Sequence, residues 1–167
     1  MQNTALFLAS LALSAGIVEI GARLFVDAPA RSMNLFRPLR PYVFVSNPGG
    51  SQDFSIALDK DRRKTIRHTF SPQGFRDRIF AAKAKEEYRI LMLGDSFTQG
   101  HAVAEEDTIS RYLESLLNHK GLPKKITAIN AGLCAAGPLQ ELGMLKEYGL
   151  AMEPDLVILL DLEVETA

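Results

Sequence analysis

The chain reads as an α/β protein, a three-layer α/β/α arrangement around a parallel sheet, preceded by an N-terminal transmembrane helix. Three observations predict this. Apolar strands alternate with amphipathic helices from Tyr88 to Leu160, the pattern of βαβ units whose sheet is covered on both faces. The apolar excess is concentrated before Val26. Between these two stretches Pro29, Pro38, Pro41, Pro48 and Gly49-Gly50 interrupt every period. The chain therefore divides into residues 1–26 (anchor), 27–84 (an irregular, β-rich connection) and 85–167 (the α/β domain).

Bulk properties exclude several function classes. The 167 residues suit one ordinary domain. Lys plus Arg is 19 and Asp plus Glu is 20, so no net positive field exists to draw nucleic acid. Cys134 is the sole cysteine, which excludes an internal disulfide and a cysteine metal cluster. His68, His101 and His119 lie far apart, without ligand spacing. Neither a metal nor a cofactor is expected.

The anchor is "TALFLASLALSAGIVEIGARLFV", Thr4 to Val26. Ala5 to Val18 carries no charge, and as a helix it rises only about 21 Å, short of a hydrocarbon core of roughly 30 Å. Continuing to Val26 supplies the length and takes in Glu19 and Arg23. These lie four apart on one face, where they can pair while Arg23 snorkels toward head groups. Two other readings stay open. One is a cleaved signal peptide ending at Ala28-Pro29-Ala30, far beyond the apolar run and without a basic start. The other is an amphipathic helix folded into the core. As an anchor, residues 4–26 make the lipid bilayer a partner and give the protein a single-pass membrane location. Arg23 stands near the end of the segment, Arg31, Arg37 and Arg40 follow it, and no arginine precedes it, which by the positive-inside rule places the remainder in the cytoplasm.

In the connection, "YVFV" (Tyr42 to Val45) and "FSIAL" (Phe54 to Leu58) are candidate short strands, and "DKDRRK" (Asp59 to Lys64) is a solvated turn. Regularity begins with "YRILML" (Tyr88 to Leu93), a continuous apolar strand. "DTISRYLESLLNHKG" (Asp107 to Gly121) follows as a helix capped by Asp107, with Ile109, Tyr112, Leu113, Leu116 and Leu117 in one stripe and Gly121 just past its end. "KITAIN" (Lys125 to Asn130) is the second strand. "PLQELGMLKEYGL" (Pro138 to Leu150) is a second helix with Pro138 in its first turn and Leu139, Leu142 and Leu145 along its inner side. "DLVILL" (Asp155 to Leu160) is the third strand, and its open side calls for a neighbour, which a partner protein in a membrane assembly would supply.

Sites in such sheets form beyond the carboxyl ends of the strands. There the sequence places Gly94, Asp95 and Ser96 after the first strand, Ala131 and Gly132 after the second, and Asp161 to Ala167 after the third. Ser96 stands where a nucleophile stands, at a strand tip, after a glycine that permits a sharp turn, ahead of a helix start whose N–H groups can hold an oxyanion. Gly94 and Asp95 support the turn. The stretch is not the elbow G-x-S-x-G, because Thr98 fills the second glycine position, and no G-K-[ST] makes it a P-loop. A plain strand-to-helix turn, with Asp95 or Ser96 capping, is the alternative reading.

"RILMLGDSFTQG" (Arg89 to Gly100) resembles the first block of the SGNH, or GDSL-type, serine hydrolases. "INAGLCAAGP" (Ile129 to Pro138) resembles their second block, and "PDLVILL" (Pro154 to Leu160) the strand leading to the third. "SPQGFRD" (Ser71 to Asp77) and "GIVEIGARLF" (Gly16 to Phe25) are similar to segments of membrane-anchored members. The resemblance implies a partial SGNH, flavodoxin-like fold, with Ser96 as nucleophile and the backbone N–H groups of Ser96 and Gly132 as oxyanion donors. It also implies an extracytoplasmic domain, against the arginine distribution. Two features depart from the family. The third block's asparagine is absent from "DLEVET" (Asp161 to Thr166), where glutamates stand instead. The Asp-x-x-His that supplies the general base is not found, so the resemblance implies a catalytic segment missing from this chain.

Other bases are weak candidates. His101 follows Ser96 by five residues, a spacing that normally points the ring elsewhere. His119 belongs to a helix C-terminus, where its charged form meets the dipole. His68 lies in a polar stretch. Cys134 reads as small packing filler, and Glu163 with Glu165 fall on opposite sides of a strand. The expected function is a membrane-anchored esterase or acyl transferase acting on acyl esters of lipids or glycans. The alternative is a catalytically inactive structural or binding subunit of a membrane assembly.

Overall fold

The computed structural model describes residues 2–25, 35–40, 43–57, 59–60 and 62–160. Expectations placed on the Ala28–Ala30 cleavage site, Arg31, Tyr42, Leu58, and Asp161, Glu163 and Glu165 lie outside the described residues. The chain forms two compact units, Met1–Arg31 and Ser32–Ala167.

The first unit is a helix, α1 (Gln2–Phe25). The expected membrane-spanning helix is corrected here: among the described residues no helix is long and apolar enough to cross a membrane. The uncharged run from Ala5 to Val18 is too short, and α1 extends beyond it only by taking in Glu19 and Arg23. The single-pass membrane location rested on that helix, as did the bilayer contact through residues 4–26.

The second unit has mixed α/β content. Two antiparallel hairpins come first. β1 (Phe36–Arg40) pairs with β2 (Val43–Ser46), and Pro38 sits where the register shifts, the kind of edge position a residue without an N–H tolerates. β3 (Ser51–Ala57) pairs with β4 (Arg63–Thr69) in unbroken register, Gln52 opposite His68 and Phe54 opposite Ile66. Asp59 closes the connecting turn, accepting the Arg62 backbone N–H at 2.9 Å and its side-chain Nε–H at 2.6 Å. β4 alternates, with Ile66 and His68 buried between exposed neighbours.

Three parallel strands follow, β5 (Glu87–Gly94), β6 (Lys125–Gly132) and β7 (Leu156–Leu160), in the order β6-β5-β7. The apolar runs predicted for 88–93, 125–130 and 155–160 are these strands. One face is covered by α3 (Ile109–Asn118), whose Leu113 and Leu117 pack on Ile90, Met92, Ile126 and Ala128. The opposite face meets α4 (Pro138–Met144) and the wide turn Leu145–Gly149 that continues it. There Met144, Leu145 and Tyr148 join Leu91, Leu93 and Ile129. Leu35, Val45, Phe70, Phe75 and Phe80 belong to that same core, so the hairpin stretch packs on the sheet.

Both helices differ from their predicted stripes. Leu139 and Leu142 stand exposed on α4, and the buried positions are Glu141, Gly143 and Met144. Gly143 lets α4 approach β2 so closely that a Cβ there would press on Val45. Asp107 does not cap α3. The cap position is Thr108, whose hydroxyl donates to the Glu105 carbonyl at 2.8 Å.

Candidate active site

Gly94 ends β5 and faces two strand tips at once, Gly132 of β6 and Leu160 of β7. The chain then turns into α2 (Ser96–Gln99), a single helical turn. The Asp95 carboxylate caps it, accepting the Phe97 N–H at 2.8 Å. Both glycines are sterically required. Gly94 has φ +152°, and a Cβ there would collide with the Thr98 hydroxyl and the Leu160 carbonyl. A Cβ on Gly132 would collide with the backbone of Thr98 and Gln99. The α2 turn therefore lies directly on the tip of β6.

Ser96 opens this turn and is half-buried. Its N–H is the first of the helix and has no intrahelical partner. No described residue hydrogen-bonds its hydroxyl. Ser96 lines a cavity of about 360 Å³ whose walls are mainly apolar (Phe97, Ala102, Val103, Ile109), together with His101 and Asp107. The backbone of Ser96 is held firmly, its carbonyl accepting the N–H of Gly100 at 3.0 Å and of His101 at 2.9 Å. Gly100 adopts the left-handed conformation that ends the turn, with φ +78°.

Gly132 pairs with Gly94 and lies against the backbone of Thr98 and Gln99, and its N–H is engaged: it donates to the Asn130 side-chain oxygen at 3.0 Å. Asn130 is fully buried and also donates to the Gln99 carbonyl at 3.3 Å. Cys134 is half-buried, and burial pushes its thiol pKa up. Among the described residues no three His, Cys, Asp or Glu side chains gather as metal ligands.

The histidines separate clearly. His119 donates locally at the end of α3, its Nδ1–H 2.6 Å from the Ser115 carbonyl. His101 lines the same cavity as Ser96, and its ring lies against Phe54 at 4.4 Å and His68 at 5.2 Å between centroids. Burial and the Arg76 charge hold the His101 pKa below its usual range, which favours the neutral ring. His68 is fully buried, its Nε2 3.0 Å from the His101 carbonyl. Burial drives its pKa down to about 4.

Sequence reasoning missed Arg76 and Asp77, quoted only within "SPQGFRD". Both are buried. Arg76 donates to the carbonyls of Gln99 at 2.7 Å, Gly100 at 2.5 Å and Val103 at 2.7 Å. Asp77 accepts the N–H of Asn130 at 3.0 Å and of Arg78 at 2.8 Å, and pairs with Arg111 at 2.5 Å. Burial pushes the Asp77 carboxyl up to about 7; the two N–H groups pull against this, and the adjoining Arg111 guanidinium favours the anion. The available signal was a charged run, Arg76 to Arg78, set between Phe75 and Ile79-Phe80.

A larger apolar cavity of about 520 Å³ lies at the other end of the strands, lined by Tyr88, Ile90, Leu122, Ile126 and Leu156 among others. Its lining includes Tyr88 and Lys124 but no serine, histidine or carboxylate. No family model matches the chain. No curated protein matches it either.

Proposed function

We propose that this chain is a serine-dependent esterase or acyl transferase of the SGNH kind, acting on acyl esters of lipids or glycans with Ser96 as nucleophile. The observation that carries the reading is the position of Ser96, a half-buried hydroxyl without a described hydrogen-bond partner, at the tip of the central strand and on the wall of an apolar hollow. In the reaction the Ser96 oxygen bonds to the ester carbonyl carbon and its proton passes to a base. The carbon–alkoxide bond then breaks, and the alkoxide leaves with that proton. The Ser96 N–H, free at the start of α2, faces the developing oxyanion. Gly132 contributes a second donor once the Asn130 amide releases it. His101 is the described histidine that lines the hollow, and its neutral ring is the form able to accept a proton.

An alkyl fluorophosphonate tests the reading directly. Wild-type protein should be labelled on Ser96, and Ser96→Ala should not be labelled. Absence of labelling on folded wild-type protein would sink the proposal. A second reading, an idle pocket in a binding subunit, is favoured by the engaged Gly132 N–H. It predicts acyl-ester binding without turnover or labelling.

A further inference from the structure

We propose that Arg76 is the positioning residue of the Ser96 site, holding the wall of the hollow and, through two backbone hydrogen bonds, Ser96 itself. The inference rests on the serine reading above. A guanidinium presents its donors in a fixed planar fork, so it can gather several carbonyls where an ammonium acts as a single point. Arg76 gathers three, those of Gln99, Gly100 and Val103, all on the segment that leaves α2. His68 adds a fourth contact, to the His101 carbonyl. Within the segment 99–103, every residue except Ala102 is thus tied through its carbonyl to the stretch before β5.

The tie reaches the nucleophile. Gly100 and His101, whose carbonyls Arg76 and His68 hold, direct their own N–H groups onto the Ser96 carbonyl. Two hydrogen bonds therefore separate the guanidinium from the Ser96 backbone. On its other side the α2 turn rests on Gly132, where no side chain would fit. The turn is clamped between β6 and Arg76, and the direction of the Ser96 hydroxyl follows from both contacts.

The arrangement departs from what stability alone favours. Arg76 is 1 % exposed, and among the described residues no carboxylate reaches ion-pair distance of it. Its Nε has no partner there either. Glu105 and Glu106 act on it only from beyond ion-pair distance. A buried charge without a close counter-charge is costly, and such departures concentrate where function requires a fixed geometry. The segment it fixes is the one lining the candidate catalytic hollow.

Two fluorophosphonates, one with an ethyl and one with an octyl group, test this on the full chain. A misplacement of about 1 Å at a reacting group can lower a rate on the order of 100-fold. Arg76→Met should slow saturating labelling of Ser96 by about that factor, Arg76→Lys by an intermediate one, and both should alter the ethyl-to-octyl rate ratio, because the wall itself moves. A merely structural role lowers the folded fraction and slows both probes equally, leaving the ratio unchanged. If Arg76→Met does not fold, Arg76→Lys and His68→Gln, which keeps a donor for the His101 carbonyl, carry the test. An unchanged ratio with labelled wild type overturns the role of Arg76 alone. A wild type that is never labelled overturns the serine reading and this inference with it.

Discussion

The parallel sheet has two outer edges, and they are finished in opposite ways. Along β6 the outward N–H groups of Ile126, Ala128, Asn130 and Gly132 each meet a side-chain oxygen, from Asn118, Glu114, Asp77 and Asn130 respectively, at 2.9, 2.9, 3.0 and 3.0 Å. Asn118 also donates to the Ile126 carbonyl at 2.8 Å. Along β7 no described group pairs with the outer edge, and Leu156, Val157 and Leu159 are exposed at 42, 40 and 55 %. An edge strand offers a row of unpaired backbone groups that proteins normally blunt. The contrast shows one edge closed by the chain's own side chains and the other built like an interior strand with nothing described beside it.

The largest effect is expected from opening the closed edge. Asp77→Ala leaves the Asn130 and Arg78 N–H groups without their acceptor and removes the buried partner of Arg111. Breaking a buried ion pair from one side costs about 3–5 kcal/mol. Urea unfolding monitored by circular dichroism should show a loss of this size. A loss below about 1 kcal/mol would mean that the carboxylate does not hold the β6 edge.

Acid probes the upper end of the same edge, where the α2 turn held by Arg76 and His68 covers Gly132. His68 is neutral in the fold, its pKa lowered from 6.5 to about 4. The unfolded chain therefore takes up a proton near pH 6.5 while the folded chain resists until about pH 4. Stability from this group is complete above the unfolded value and is lost as the pH falls through that window. The linked change is about 3 kcal/mol. Asp77, with its raised pKa, works in the opposite direction over an overlapping range, so the informative measurement is the difference between wild type and His68→Gln. The wild type should lose more stability than the variant between pH 6.5 and 4. Parallel pH profiles would show that His68 titrates normally.

Much of this architecture was legible in the sequence, for reasons specific to particular residues. Continuous apolar runs located the three strands to within a residue or two, and Gly94 and Gly132 pair because residues that end neighbouring parallel strands share one end of the sheet. The closed edge was not legible. Its acceptors come from the loop before β5 (Asp77) and from the flank of α3 (Glu114, Asn118), and a carboxylate that binds a strand 53 residues away leaves no local signature. Periodicity also gave the direction of the helical stripes without their extent. Of the α3 stripe, Leu113 and Leu117 are packed, whereas Ile109, Tyr112 and Leu116 are exposed, because α3 lies over β5 and β6 and meets no further layer among the described residues. The helical pattern of α1 was plain, and what failed was its span, since Glu19 and Arg23 fall inside the length a bilayer would require.

The smallest expected effect sharpens the comparison from the open side. Leu159→Lys places a charge on the most exposed apolar residue of β7. In the folded chain that side chain has little to lose, and substitutions at such positions stay within about 0.5 kcal/mol. The same substitution at Ala128 of β6, which is 0 % exposed, would force an ammonium into the layer beneath α3. Urea midpoints should therefore separate Leu159→Lys from wild type only marginally, while Leu159→Lys reduces any concentration-dependent light scattering that arises from an uncovered apolar edge. A loss above about 2 kcal/mol for Leu159→Lys would show that β7 is covered in solution, and the two edges would then differ only in what covers them.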